Sequence, residues 1–362
     1  MQGRSAKSAK VNAAEYTRAT GPVHPRTLFH LLRPNGYLLL CSPYMPRAFA
    51  LLLFLLLPAV SQAQSFTVLQ RPLSLATAEG ELHGTLLLPK TEAPVPVVLL
   101  IAGSGPTDRN GNNPEGGNND SLKKLAQNLA QNGIASVRYD KRGIAASRPA
   151  TPDERDLSVE RYVQDAVAWG QKLKADGRFA TLIIAGHSEG ALIGALAAPA
   201  AGADAMVSIA GTGRPIDQVI KEQVREHLPA PLLPQSVWII DQLKAGTPVP
   251  TVPAELQVLF RPSVQPYLIS LFRQDPAAAF ARLEMPALIV QGSHDMQVEV
   301  KDANALKAAK PDAQLVVIQG MNHVLRIVAN EPKAQLASYN DANLPLAREL
   351  TSRLVAFVLA VH

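Results

Sequence analysis

From residue 66 onward, short apolar runs alternate with stretches whose apolar residues recur every three or four positions. An alternating or unbroken apolar run of four to eight residues predicts a strand, and the 3.6-residue period predicts a helix. Residues 66–75 and 82–88 flank Glu79-Gly80 and predict an antiparallel pair. Residues 95–101 form an unbroken apolar run, the mark of a strand buried on both faces. Residues 106–119 are dense in Asn and Gly and predict a loop. Leu122, Leu125 and Leu129 then share one helical face, and Gly133 supplies a stop. Residues 134–139 predict the next strand. Ser158 can cap a helix that turns Val159, Tyr162, Val163, Ala166 and Leu173 inward. A strand at 181–185, a helix at 191–198 and a strand at 205–210 follow.

The alternation breaks at Gly211. Residues 215–282 hold several amphipathic helical stretches, with Pro at 229, 231, 234, 248, 250 and 253, and no clear strand. They predict a helical cap inserted between two sheet strands. The sheet resumes at 286–291, a helix follows at 301–309, and 314–318 is the last strand. Leu346, Leu350, Leu354 and Phe357 lie at helical spacing within 344–361 and close the chain. Such alternation, with right-handed crossovers, predicts an α/β protein with a doubly wound, mostly parallel sheet. Its core comprises residues 64–214 and 283–362, with the cap, 215–282, between them.

The first 63 residues read differently. Met45-Pro46-Arg47 precedes an apolar run at 48–60 and then Ser61-Gln62-Ala63. A positive start, a short apolar core and a small-x-small end predict a secretory signal peptide over 45–63. The run is short of the roughly 20 residues that span a membrane. Residues 1–44 are polar, basic and aperiodic, which predicts a disordered upstream extension or a start placed too far upstream. One long leader or an anchor is the other reading. The expectation is a secreted or periplasmic protein whose mature body has no stable membrane insertion.

Removing that leader changes the charge. The chain has 35 Lys/Arg and 30 Asp/Glu, of which seven and one precede Gln64, leaving 28 and 29. The mature body is nearly neutral and gives no argument for nucleic-acid or anionic-membrane partners. Cys41, the single cysteine, also lies upstream, so no disulfide is expected in the body. Leu38-Leu39-Leu40-Cys41 lacks the small residue that a lipid-anchor site needs before its cysteine.

The candidate chemistry sits at strand ends. The run 181–185 leads into Gly186-His187-Ser188-Glu189-Gly190 and then a helix-forming stretch. Strand, Gly-x-Ser-x-Gly and helix is the context of a nucleophile elbow, in which the glycines omit Cβ atoms that would clash. A Ser hydroxyl needs a base, and the base an orienting acid. Both belong in loops at the carboxyl ends of later strands. Gly292-Ser293-His294-Asp295 follows the strand at 286–291, and Gly320-Met321-Asn322-His323 follows the last strand. This reading makes Ser188 the nucleophile, His323 the general base then acid, and Asp295 its orienter. His294 shares the acid's loop, His187 lies within the elbow and His83 on an early strand, and all three are weaker candidates for the base. The oxyanion donors are expected to be the backbone N–H groups of Glu189 and of Ser104, in Ala102-Gly103-Ser104-Gly105. No cofactor and no metal is expected. Gly103-Ser104-Gly105 lacks the third glycine of a dinucleotide fingerprint, with Asp108 in its place. Residues 108–119 lack the glycine and the glutamate of a calcium loop. No Cys/His cluster has zinc spacing.

Taken together, Gly-Ser-Gly-Pro-Thr-Asp-Arg-Asn-Gly (103–111), Tyr-Asp-Lys-Arg-Gly (139–143), Gly-His-Ser-Glu-Gly (186–190), Gly-Ser-His-Asp (292–295) and Gly-Met-Asn-His (320–323) resemble the α/β hydrolases, within them the bacterial esterase and serine aminopeptidase-like group. Where lipases of this superfamily often carry His-Gly-Gly, this chain has Ala102 and then Gly103-Ser104-Gly105. The resemblance implies a serine hydrolase acting on a small-molecule carboxylic ester. An aminopeptidase or other amidase of the same fold stays open, with Glu222, Glu226, Asp241 and Glu255 of the cap available to meet a substrate ammonium. Arg261 and Arg273 could equally meet a carboxylate. A catalytically idle binding protein on this fold is a third reading. Neither the acyl preference nor the oligomeric state is readable from these residues.

Overall fold

A computed structural model describes residues 66–362; the extension 1–44 and the signal-like segment 45–63 lie outside the described residues. The chain opens with β1 (Val68–Thr77), β2 (Gly80–Pro89) and β3 (Val95–Ile101), then α1 (Ser121–Gln131) and β4 (Ala135–Tyr139). Next come α2 (Val159–Lys174), β5 (Phe179–His187), α3 (Glu189–Ala201) and β6 (Ala205–Ile209). Five helices follow without a strand: α4 (Ile216–His227), α5 (Leu233–Lys244), α6 (Gln257–Phe260), α7 (Gln265–Phe272) and α8 (Pro276–Ala281). The last part holds β7 (Ala287–Gly292), α9 (Val300–Ala309), β8 (Gln314–Ile318), α10 (Pro332–Ser338) and α11 (Arg348–Leu359).

Among the described residues, all eight strands join one sheet in the order β1-β2-β4-β3-β5-β6-β7-β8. Only β2 runs against its neighbours, pairing antiparallel with β1 and β4; every other pairing is parallel. The unbroken apolar runs have a simple cause, because both faces of the sheet are covered. Val97, Leu99 and Ile101 of β3 enter one core with residues of α2 and α3. Val98 and Leu100, pointing the other way, enter a second core with residues of α1 and α11. At about 1.5–3 kcal/mol per fully buried aliphatic side chain, this two-sided burial fixes the strand's register firmly. The helices between β6 and β7 have a third core of their own, built around Ile239, Ile240, Leu243, Leu256, Phe260 and Phe272.

One boundary and one helix depart from the periodic pattern. The closing helix begins at Arg348 and not near 344. Pro345 biases Leu344 toward extended backbone, and the Ala347 N–H is already bonded to the Leu325 carbonyl at 2.9 Å. Leu346 is still buried, which is why it fitted the apolar spacing. The short helix α10 was not anticipated at all, because its exposed Leu336 breaks any inward stripe.

The chain leaves β3 for β4 on one side and reaches β5 on the other. The crevice beyond the carboxyl ends of β3 and β5 is thus the point where strand order reverses, and in open α/β sheets ligands bind there.

Candidate active site

Ser188 joins β5 to α3 with φ 55° and ψ −122°, a left-handed backbone that L-residues rarely adopt. Two glycines make this turn feasible. A Cβ on Gly186 would lie 2.0 Å from the Gly190 carbonyl oxygen, and one on Gly190 would lie 2.3 Å from that of Ile101. The Ser188 N–H is anchored to the Ile209 carbonyl at 2.9 Å. Its Oγ does not cap α3, and Ser188 lines a cavity between the carboxyl ends of the strands and helices α4, α6 and α7.

Asp295 lies in the loop after β7, with its side chain buried. One carboxylate oxygen, Oδ1, accepts the N–H groups of Gln297 at 2.8 Å and Val298 at 2.9 Å. The other, Oδ2, accepts from Gln291 Nε2 at 3.2 Å and from His323 Nδ1 at 2.8 Å. Burial alone would raise its pKa, but His323 and the two backbone N–H groups outweigh that and hold the carboxyl below its ordinary value. The acceptor on Nδ1 sets the tautomer, so the proton sits there and Nε2 is left with its lone pair.

His323 is presented by a tight turn after β8. Asn322 closes it by accepting the Arg326 N–H on Oδ1 at 2.9 Å and donating from Nδ2 to Ser338 Oγ at 2.8 Å. The structure therefore joins His323 and Asp295 directly. Ser188 Oγ makes no side-chain hydrogen bond among the described residues, and it is the preceding residue, His187, that contacts His323. His187 Nε2–H donates to the His323 carbonyl at 2.8 Å, with the two rings 4.8 Å apart. Such hydroxyl-to-imidazole bonds often tighten only with substrate in place.

Two other histidines are engaged elsewhere, whereas His227, the last residue of α4, lines the cavity. His294 Nδ1 donates to the Val328 carbonyl at 2.8 Å, and His83 lies 3.9 Å from Glu81 on β2. Burial, then the charge of His323, lowers the pKa of His187 to about 4, so it stays neutral near pH 7. This has a consequence for stability. The unfolded chain binds a proton at His187 below about pH 6.5, whereas the folded chain does not until about pH 4. The contribution is complete above the unfolded value and is lost as pH falls toward the folded one, about 3 kcal/mol in all. Urea unfolding at pH 7 and pH 4.5 should show that loss in the native protein and a clearly smaller one in His187→Asn. Equal losses in both would refute the burial account.

The segment after β3 rides against the elbow. A Cβ on Gly103 would come within 3.2 Å of Ser188 Cβ, and Ser104 lines the cavity. Glu189 is the first residue of α3, so its N–H has no acceptor within the helix. Its carboxylate meets Lys141 Nζ at 3.0 Å, and the same ammonium donates to the Gly103 carbonyl at 2.6 Å. Sequence reading missed Lys141. The available signal was its place in Tyr-Asp-Lys-Arg-Gly (139–143), two residues beyond β4, where a solvated charge is the ordinary expectation.

The Asn/Gly-rich loop at 106–119 is a built wall. Asp108 Oδ1 accepts the N–H groups of Asn110 and Asn112, and Asn112 Oδ1 those of Asn119 and Asp120. Asp140, raised by burial and partly offset by Arg109, holds the Arg109 N–H at 2.8 Å. Asp108, Asn112, Pro114 and Asn118 line the same cavity as Ser188. That cavity measures about 1330 Å³, and Val219, Val224, Leu228, Val258, Phe260 and Leu268 give it an apolar roof. Among the described residues no group of three or more His, Cys, Asp or Glu could hold a metal, and no helix is long and apolar enough to cross a membrane.

Comparison with known proteins agrees with this architecture. The chain is 30% identical to Esterase EstD of Thermotoga maritima over 265 residues, 71% of this chain and 61% of that protein. It thus spans less than two thirds of the length of that curated relative. Est1E of Butyrivibrio proteoclasticus, solved with ferulic acid bound, superposes with a TM-score of 0.55 at 18% identity, covering 80% of this chain and 98% of that one. An esterase of Pyrococcus furiosus gives a TM-score of 0.50 at 16% identity, over 82% and 91%. These two likenesses speak to the fold. Residues 98–338, well over half of the chain, match the model of the alpha/beta hydrolase family, and the chain belongs to that family.

Proposed function

We propose that the protein is a serine hydrolase that cleaves carboxylic esters through an acyl-enzyme on Ser188. The observation that carries this reading is the buried His323–Asp295 pair, 2.8 Å apart, beside a strained serine that opens into an apolar cavity. The similarity to Esterase EstD supports it. In the first half-reaction His323 Nε2 takes the Ser188 proton while Oγ attacks the ester carbonyl. The N–H groups of Glu189 and Ser104 receive the oxyanion, and collapse expels the alcohol, protonated by His323. In the second half-reaction His323 activates a water, which attacks the acyl-enzyme. The acid leaves and Ser188 regains its proton. Asp295 orients the imidazole and stabilises its charged form throughout.

An aminopeptidase would need a carboxylate free to pair with a substrate ammonium. Glu222, Glu226, Asp241 and Glu255 do not line the cavity. Glu222 pairs with Arg214 and Lys301, and Asp241 with Lys221. Four acids do line it: Glu154 pairs with Arg261, Glu189 pairs with Lys141, Asp108 accepts the N–H groups of Asn110 and Asn112, and the exposed Glu115, on the Asn/Gly-rich loop, has no ion pair among the described residues. Arg261 is thereby engaged as well, and Arg273 does not line the cavity. The apolar roof favours an acyl chain instead. Each buried methylene is worth about 0.8 kcal/mol, so kcat/KM for p-nitrophenyl esters should rise about fourfold per carbon over the first few carbons. Aminoacyl p-nitroanilides, assayed beside them, should turn over far more slowly. Faster anilide turnover would replace this reading with the peptidase.

A further inference from the structure

We infer that Lys141 is a positioning residue, whose single ammonium holds both segments of the oxyanion hole in register. The inference rests on the ester-hydrolase reading of Ser188. Lys141 follows β4, next to β3 in the sheet, and its side chain is 1% exposed. An ammonium has three N–H donors and no acceptor. Here one meets the Gly103 carbonyl at 2.6 Å and another Glu189 Oε1 at 3.0 Å. The charge also lies 4.9 Å from the centre of the Tyr162 ring, within cation–π range.

The two hydrogen-bonded partners are the notable part. Gly103 immediately precedes Ser104, and Glu189 is the residue whose own N–H is the other proposed donor. The two segments lie far apart in sequence and are tied by one side chain from a third. Net stabilisation is a poor explanation for the tie, since a buried ion pair often contributes little against its desolvation cost. Charge gives a second reason. The Glu189 carboxylate stands beside the place where negative charge would develop. Unpaired, it would oppose the oxyanion in a site of low dielectric; paired with Lys141, it is neutralised. Lys141 thus does two things: it fixes the angle of the Gly103–Ser104 peptide and cancels the field of Glu189.

The test uses the full chain and three variants: Lys141→Met, Glu189→Gln and the double variant. Steady-state kinetics with p-nitrophenyl butyrate, affinity for a trifluoromethyl ketone that forms a tetrahedral adduct on serine, and thermal melting are measured for each. Lys141→Met should lower kcat by roughly 10²–10³ with KM changed little, and ketone affinity should fall in step with kcat. The double variant no longer buries an unpaired charge. It should melt near the wild type and regain part of kcat, yet stay at least about tenfold below the wild type because Gly103 is untethered. A double variant with wild-type kcat overturns the proposal, even if Lys141→Met does not fold. So does a Lys141→Met protein whose ketone affinity is unchanged while kcat and melting fall together, for that pattern marks a merely structural pair. Failure of the underlying reading looks different, because wild-type Ser188 would then resist a fluorophosphonate.

Discussion

Ser188→Ala is expected to lower kcat by about 10⁴–10⁶, and His323→Ala by a similar factor. The elbow geometry explains why so much depends on one hydroxyl: the turn at the carboxyl end of β5 holds Ser188 at the cavity. Asp295→Asn should cost somewhat less. The asparagine can still occupy the site, but it no longer stabilises a charged imidazole or holds the proton on Nδ1. The same serine should reveal a cost in stability. Its φ of 55° and ψ of −122° lie where glycine is at ease and other residues are strained. Ser188→Gly should therefore be inactive yet more stable than Ser188→Ala by on the order of 1 kcal/mol in urea unfolding. A glycine variant no more stable than the alanine one would mean that the turn is not strained.

The second large effect is expected at Gly292, the last residue of β7. A Cβ there would lie 2.0 Å from the Met321 carbonyl oxygen and 2.6 Å from its carbon, both backbone atoms of the turn that carries His323. The same carbonyl accepts the His294 N–H at 3.0 Å, so the loop of Asp295 and the turn of His323 meet at this point. Gly292→Ala must push them apart. Overpacking of this kind typically costs 1–3 kcal/mol, and here about 3 kcal/mol or more is expected because neither neighbour is a flexible side chain. The folded fraction should also lose about 10²-fold in kcat, the usual penalty for an ångström of misplacement. Gly177→Ala, where a Cβ would meet nothing within 4 Å, is the control and should change neither quantity. Wild-type stability and turnover in Gly292→Ala would show that the turn of His323 does not depend on that close approach.

What the sequence disclosed here, and what it hid, follow from the range of the interactions. The elbow was legible because its parts are consecutive: an apolar strand, two glycines at fixed spacing and a helix-former. Asp295 and His323 were legible as residues at strand ends, since chain order and the carboxyl-end rule narrow the choice to two loops. Their 2.8 Å contact was not legible, because β7 and β8 must first pair in register for those loops to meet. Lys141 was hidden for the same reason, as its partners come from β3's loop and α3. Nothing local tells a lysine that it will be buried. The helices between β6 and β7 show a different limit. Their periodicity marks apolar faces but does not say what each face covers. Ile239, Leu243 and Leu256 fill those helices' own core, whereas Val219, Leu228 and Val258 face the cavity. The loop at 106–119 was read only as polar, although its Asn and Asp side chains organise one another into a wall.

The most direct measurement is covalent. The wild-type protein, Ser188→Ala and His323→Ala are treated with a fluorophosphonate, then mapped by intact mass and peptide sequencing while residual ester hydrolysis is followed. One adduct per chain on Ser188 is expected, with activity lost in proportion to labelling, no adduct in Ser188→Ala and much slower labelling in His323→Ala. An active protein that takes no label, or one whose label and turnover persist in Ser188→Ala, would contradict the assignment of Ser188 as nucleophile.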